Sequence, residues 1–191
     1  MHKLTVVAFL GMILIFAPLA PSAIAQQQKF TVNPAASNVT FQLGGNTHAV
    51  HGTFHVKSGV VNFDRETRKI SGLIVVDPLS GDSGSSGRDQ KMKNEVLEVG
   101  RFAEITFEPK SFAGDLAANG DSTIQVTGIF TLHGTAHDLT IPMQIHVEGN
   151  QLTAKTHFTV PYVQWGLKDP SIFVLKVAKE VGIDLKLEGQ L

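Results

Sequence analysis

Apolar residues recur at every second position along most of this chain, and no other feature restricts its fold as much. The pattern is clearest where Leu139, Ile141, Met143, Ile145 and Val147 alternate with Thr140, Pro142, Gln144, His146 and Glu148. Side chains two apart on an extended segment share a face, so such a segment buries one face and wets the other. The same phase runs through Leu152, Ala154, Thr156, Phe158 and Val160, and again through Val181, Ile183, Leu185 and Leu187. Further strands are expected at about Lys29 to Val32, Val39 to Leu43, Gly52 to Lys57, Val60 to Asp64, Lys69 to Asp77, Ile105 to Glu108 and Thr123 to Leu132. Turn signals separate them at Gly44-Gly45, Lys57-Ser58-Gly59, Gly114, Asn119-Gly120 and Gly149-Asn150. A two-residue loop at the last of these sets Glu148 opposite Gln151 and His146 opposite Thr153. Met92, Val96 and Val99 recur at helical spacing, so one short helix is expected over about Asp89 to Glu98.

Many strands with one apolar face suit an antiparallel sandwich or barrel, and closure removes exposed sheet edges. The expected fold is therefore all-β: an antiparallel up-and-down barrel of about eight strands with a short helix and a long loop. Phe41, Phe54, Ile74, Phe107, Phe130, Met143, Ile145, Phe158 and Leu185 lie on the apolar phase and are the expected lumen residues. A barrel of this size either fills with its own side chains or holds one ligand. Gly72, Gly128, Ala154 and Thr156 beside the phenylalanines would leave a tunnel, or the glycines would merely ease bending. After Val160 the alternation stops. Pro161, Gly166 and Pro170 forbid a regular strand, while Tyr162, Val163, Trp165, Leu167, Ile172 and Phe173 stay apolar. This long loop is expected to cover the barrel mouth and to bring Trp165 and Phe173 to a ligand; its alternative is a satellite core on the barrel exterior.

The N-terminus is of a different kind. Lys3 precedes an uncharged apolar run from Leu4 to Leu19, broken by Pro18, Pro21 and Ser22, and Ala23-Ile24-Ala25 offers small residues for cleavage before Gln26. Residues 1–25 are read as a signal peptide and 26–191 as the barrel domain, placing the mature protein in the periplasm or outside the cell. The run is shorter than the roughly 20 residues a membrane span needs, and no cysteine follows it for acylation. Stable membrane insertion is thus not expected. With 16 Lys+Arg against 17 Asp+Glu, the chain has no basic surplus for phosphate backbones, so nucleic acid is not an expected partner.

Catalytic signatures are weak. Gly81-Asp82-Ser83-Gly84 has the form of a serine-protease nucleophile turn, but Ser85-Ser86-Gly87 follows it and the chain is too short for two six-stranded barrels; a Gly/Ser-rich loop is the better account. His51 and His55 would share a strand face about 13 Å apart, with His48 beyond a turn, which makes a poor metal site. No catalytic residue, metal ligand or cofactor is assigned, and an apolar lumen without assembled acid, base or nucleophile suits holding a hydrophobic molecule.

Four stretches resemble the YceI-like family of exported bacterial proteins. They are Val39-Thr40-Phe41 with His51-Gly52-Thr53-Phe54; Gly87-Arg88-Asp89 with Met92-Lys93-Asn94; Arg101 to Phe107; and Val126 to Met143. Lys91-Met92 stands where the family often has His-Leu, and Ala103 where it often has Pro. The resemblance implies a lipocalin-like barrel with a long, single-ended tunnel for a polyisoprenoid, a quinone tail or a fatty acid. That lipid would be the bound ligand, held for transport or storage; no enzyme activity is implied. A homodimer, an exported stress or adhesion module with a filled barrel, and a small hydrolase or isomerase using a histidine at the mouth remain as alternatives. Arg88 and Asp89 are expected to brace the glycine-serine loop, with Asp89 facing the amides of the first helical turn.

Overall fold

The structure, a computed structural model, describes residues 27–46 and 48–191; the expected signal peptide lies outside them. Nine strands form one antiparallel sheet: β1 (Gln28–Val32), β2 (Asn38–Leu43), β3 (Val50–Phe63), β4 (Ile70–Asp82), β5 (Ile105–Ala113), β6 (Gly120–Leu132), β7 (Thr135–Glu148), β8 (Gln151–Val160) and β9 (Val181–Gln190). Around the ring each of β2 to β9 pairs with the stave on either side, β2 closing it by pairing with both β3 and β9, and β1 pairs with β3 and β9 as well. The result is a closed barrel of eight staves. β1 supplies no ninth stave, because it occupies the lower part of the stave β2 completes: Thr31 pairs with Val60 and Gln190, whereas Val39 pairs with Phe54 and Leu185. Pro34 has no N–H for a ladder, and the strand is broken there by a single 3-10 turn over Pro34–Ala36. Asn33 caps that turn, its side-chain oxygen accepting the Ala35 N–H at 3.1 Å.

Two local expectations are corrected. Lys57-Ser58-Gly59 is not a turn: β3 runs through it, and pairing steps from Val56 opposite Val76 to Ser58 opposite Val75. Lys57 is the extra residue of a bulge, which re-aims its side chain so that Nζ meets Glu104 Oε1 at 2.7 Å. The helix starts earlier than expected and is not uniform. An α-helical stretch, α1 (Ser86–Lys91), passes into a π turn over Met92–Val96, in which the Leu97 N–H donates to the Met92 carbonyl at 2.8 Å. The β7–β8 register agrees with the sequence reading, with Glu148 opposite Gln151 and His146 opposite Thr153.

The two ends of the barrel differ. At the lower end Phe30, Val61, Phe63, Phe112, Ile124, Val147, Leu152 and Leu187 are buried in one continuous cluster. At the upper end the staves are linked by residues 44–46 and 48–49, by 83–104 with α1, by 133–134 and by 161–180. Side chains therefore fill one half, and loops roof the other.

A single-ended apolar cavity under a braced roof

The upper half encloses a cavity of about 570 Å³. Its wall is built from alternate inward residues of nearly every stave: Val39, Phe41 and Leu43 on β2, Ile74 and Val76 on β4, Ile105 and Phe107 on β5, Leu139 and Ile141 on β7, and Ile183 and Leu185 on β9. Phe54, Phe130 and Phe158 complete it. Phe41 can lie against β3 because the residue opposite it in register is Gly52, where a Cβ would come within 2.4 Å of the Phe41 ring. Phe41 in turn packs on Phe54, ring centroids 5.4 Å apart.

The roof comes from three segments. Met92, Val96 and Leu97 of the π turn and its exit point into the cavity, as do Tyr162, Leu167, Pro170, Ile172 and Leu175 of the long loop and Gly45, Asn46 and His48 of the β2–β3 connection. Ser83 ties α1 to β4: Arg88 Nε donates to Ser83 Oγ at 2.8 Å, and Ser83 N–H donates to Asp89 Oδ1 at 2.8 Å, while the Ser83 hydroxyl also bonds Asp89. Those bonds, led by the hydroxyl, hold the Asp89 carboxyl below the ordinary carboxylate range. Arg88 thus braces the loop as expected. Asp89 does not cap its own helix but turns back to Ser83, which the Gly/Ser-rich spacing alone did not reveal. Tyr162 pins the base of the long loop, its hydroxyl donating to the Ala178 carbonyl at 2.7 Å; burial pushes that hydroxyl up to about 12.

Of the residues expected in the lumen, Phe41, Phe54, Ile74, Phe107, Phe130, Phe158 and Leu185 line the cavity. Met143 and Ile145 do not. They share the inward phase of β7 but lie further along it, buried beneath the cavity floor in the packed half. Trp165 is also off the wall: it stacks on His137 with centroids 3.9 Å apart and planes 8° from parallel, at the end of β7 nearest the roof. Phe173 is 95% exposed and faces solvent. The long loop does roof the mouth, but through Tyr162, Leu167, Ile172 and Leu175, because aperiodic backbone lets neighbouring side chains point in unrelated directions. Nor do small residues carve the void. Ala154 is buried in the packed half, opposite Ile145 and Leu187; Thr156 is buried but off the cavity wall; and Gly128 makes room for the Phe107 ring. The expected lumen set also left out Val39, Val76, Ile105, Leu139, Ile141 and Ile183, which alternation could have supplied, and Asn46, His48, Lys91, Leu175, Lys176 and Val177, which have no periodic signal beyond the apolar run continuing past Phe173 to Leu175.

Lining groups that carry charge are confined to the rim. Arg88, Lys91 and Lys176 are cationic, and no carboxylate stands beside them among the described lining residues. Arg88 donates to the Ser83 carbonyl at 2.6 Å and Lys91 Nζ to the Pro170 carbonyl at 3.1 Å, so both also hold the roof together. His51 and His55 are exposed on the outer face of β3, away from His48 at the cavity.

An eight-stave antiparallel barrel, packed at one end and hollow and apolar at the other, defines the lipocalin-like class of architecture. Within that class the chain belongs to the YceI-like domain family, whose sequence profile matches residues 30–189. It is 33% identical over 153 residues to a UPF0312 protein of Shewanella sp. (strain MR-7), covering 78% of this chain and 75% of that protein. It is 28% identical over 143 residues to a UPF0312 protein of Vibrio parahaemolyticus, covering 73% and 74%. Among solved structures it resembles Burkholderia cenocepacia BcnA, with TM-score 0.68 and 23% identity over 83% of this chain and 99% of that one. It also resembles a polyisoprenoid binding domain from Saccharophagus degradans, with TM-score 0.64 and 15% identity over 84% and 97%. At those identities the structural likeness establishes the fold.

Proposed function

We propose that the protein is an exported binding protein that holds a long apolar ligand, a polyisoprenoid, quinone tail or fatty-acid-like lipid, in the upper half of its barrel for transport or storage. The observation that carries this reading is the cavity itself. Its volume of about 570 Å³ lies within the roughly 300–1,000 Å³ typical of small-molecule sites. Its walls are Phe, Ile, Leu and Val, and its floor is packed, so an apolar chain would enter tail-first and leave any polar head at the rim. Sites of this composition bind by removing apolar surface from water. The polyisoprenoid-binding neighbour supports the same ligand class by analogy. A filled barrel describes only the lower half. Catalysis by a mouth histidine lacks support: His48 has no carboxylate beside it among the described lining residues, and His133, whose Nε2 lies 2.8 Å from Glu98 Oε2, is not on the cavity wall.

Organic extraction of the purified protein followed by mass spectrometry should release a chain-like lipid at near one per protein. Delipidated protein should take up a polyprenol, a quinone or a fatty acid in titration. The Leu139→Trp variant, whose larger ring would occupy the cavity, should fold and take up at least tenfold less. An empty extract together with no uptake of any of the three ligand classes would overturn the reading.

A further inference from the structure

One segment of the roof contradicts the rule that apolar side chains are spread thinly over a surface. Ile172, Phe173, Val174 and Leu175 are consecutive and exposed, at 49, 95, 67 and 47%. Other large exposed apolar residues among those described, such as Val60, Leu73 and Leu79, are not consecutive. The tip is also held in shape. The Ile172 N–H donates to the Leu175 carbonyl at 2.9 Å, and Asn46 clamps it from the β2–β3 connection, its side chain donating to the Val174 carbonyl at 3.2 Å and accepting from the Lys176 N–H at 3.1 Å. Ser171 Oγ accepts the Val177 N–H at 3.1 Å. A braced tip loses little conformational freedom on docking, so its apolar area counts almost fully toward binding.

The geometry points to what the tip meets. Ile172 and Leu175 border the cavity while Phe173 and Val174 project from it, so the tip is the lip of the mouth. Arg88, Lys91 and Lys176 surround that mouth without a lining carboxylate, although the whole chain is -1. Asp89, Glu95 and Asp169 stand close to Arg88, Lys91 and Lys176 respectively, but Lys93, Lys168 and Lys179 share the same two segments, so residues 86–96 and 168–179 together carry six cations against three acids. We propose that this tip docks into the interfacial layer of an anionic phospholipid bilayer, seating the mouth on the membrane so that lipid passes between bilayer and cavity without crossing water. An apolar projection ringed by cations matches a bilayer surface, where apolar groups sink to the acyl boundary and cations stay with the headgroups. It matches a protein partner less well, because four side chains fall short of the roughly 800 Å² per partner that a stable interface needs. The purpose given to the docking rests on the proposed lipid site, but the docking is measured apart from it.

The test is flotation of the full chain with vesicles of phosphatidylcholine, alone or doped with phosphatidylglycerol. Wild-type protein should float with the anionic vesicles and several-fold less with the neutral ones. Phe173→Asp, at a fully solvated position, should keep its fold by circular dichroism and lose roughly tenfold or more of its vesicle partition. The delipidated variant should still take up a detergent-presented quinone as wild type does. Wild-type protein that stays unbound with both vesicle types would overturn the proposal, as would a Phe173→Asp variant that floats equally well. A concentration-dependent dimer that Phe173→Asp dissolves would do the same, by assigning the tip to a second copy. Failure of lipid uptake in every variant, with flotation intact, would instead count against the cavity reading alone.

Discussion

Tyr162 shows how much of the roof depends on single polar contacts. Removing its hydroxyl in Tyr162→Phe leaves the Ala178 carbonyl without its partner at the neck of the long loop. The expected loss is about 1 kcal/mol in chemical denaturation, with faster release of bound ligand. Acid acts on other single residues. Asp64 accepts the Thr67 N–H at 2.7 Å and the Glu66 N–H at 2.9 Å, and these bonds, that from Thr67 foremost, hold its carboxyl below the ordinary range. A depressed folded value adds stability that is complete above the ordinary carboxylate range and is lost as pH falls through the lower folded value. Stability should therefore decline below about pH 4, and Asp64→Asn should flatten that acid limb; an unchanged pH profile would contradict the assignment. At this scale the sequence is legible only where a residue sits on a strand. Phe41 and Leu185 could be placed from their phase, whereas Trp165 and Phe173 could not, since proline and glycine interrupt any repeat that would say which way each points.

Elements were more legible than their irregularities. Alternation identifies nearly every stave, and the Gly149-Asn150 loop fixes the β7–β8 register because a slip of one residue would turn every buried side chain outward. The bulge in β3 was misread since Lys57-Ser58-Gly59 carries the residue types of a turn; only pairing with β4, remote in sequence, carries the strand through. The π turn is equally silent, as its apolar residues fit an α-helical period just as well. Gly52 belongs to the β2–β3 pair rather than to itself: Gly52→Ala would drive a methyl into the Phe41 ring. It should lower stability by about 2 kcal/mol and reduce ligand uptake, whereas an unaffected variant would mean that Phe41 moves aside freely.

For the whole molecule, the division into a filled and a hollow half is the feature that alternation could not convey, because inward residues read alike in both. Truncation distinguishes them. Ile145→Ala should cost about 3 kcal/mol by opening a void in the packed half, while Leu139→Ala, which widens an existing cavity, should cost about 1 kcal/mol; equal losses would mean that the upper half is also packed. The same division gives the barrel a polarity along its axis. Gln28 pairs with Phe63 and the Leu191 N–H donates to the Asn150 carbonyl, so both described ends of the chain lie at the packed end. A handle attached beyond Leu191 would thus hold every molecule on a sensor surface in one orientation, bore outward, and anything grafted there would hang clear of the opening.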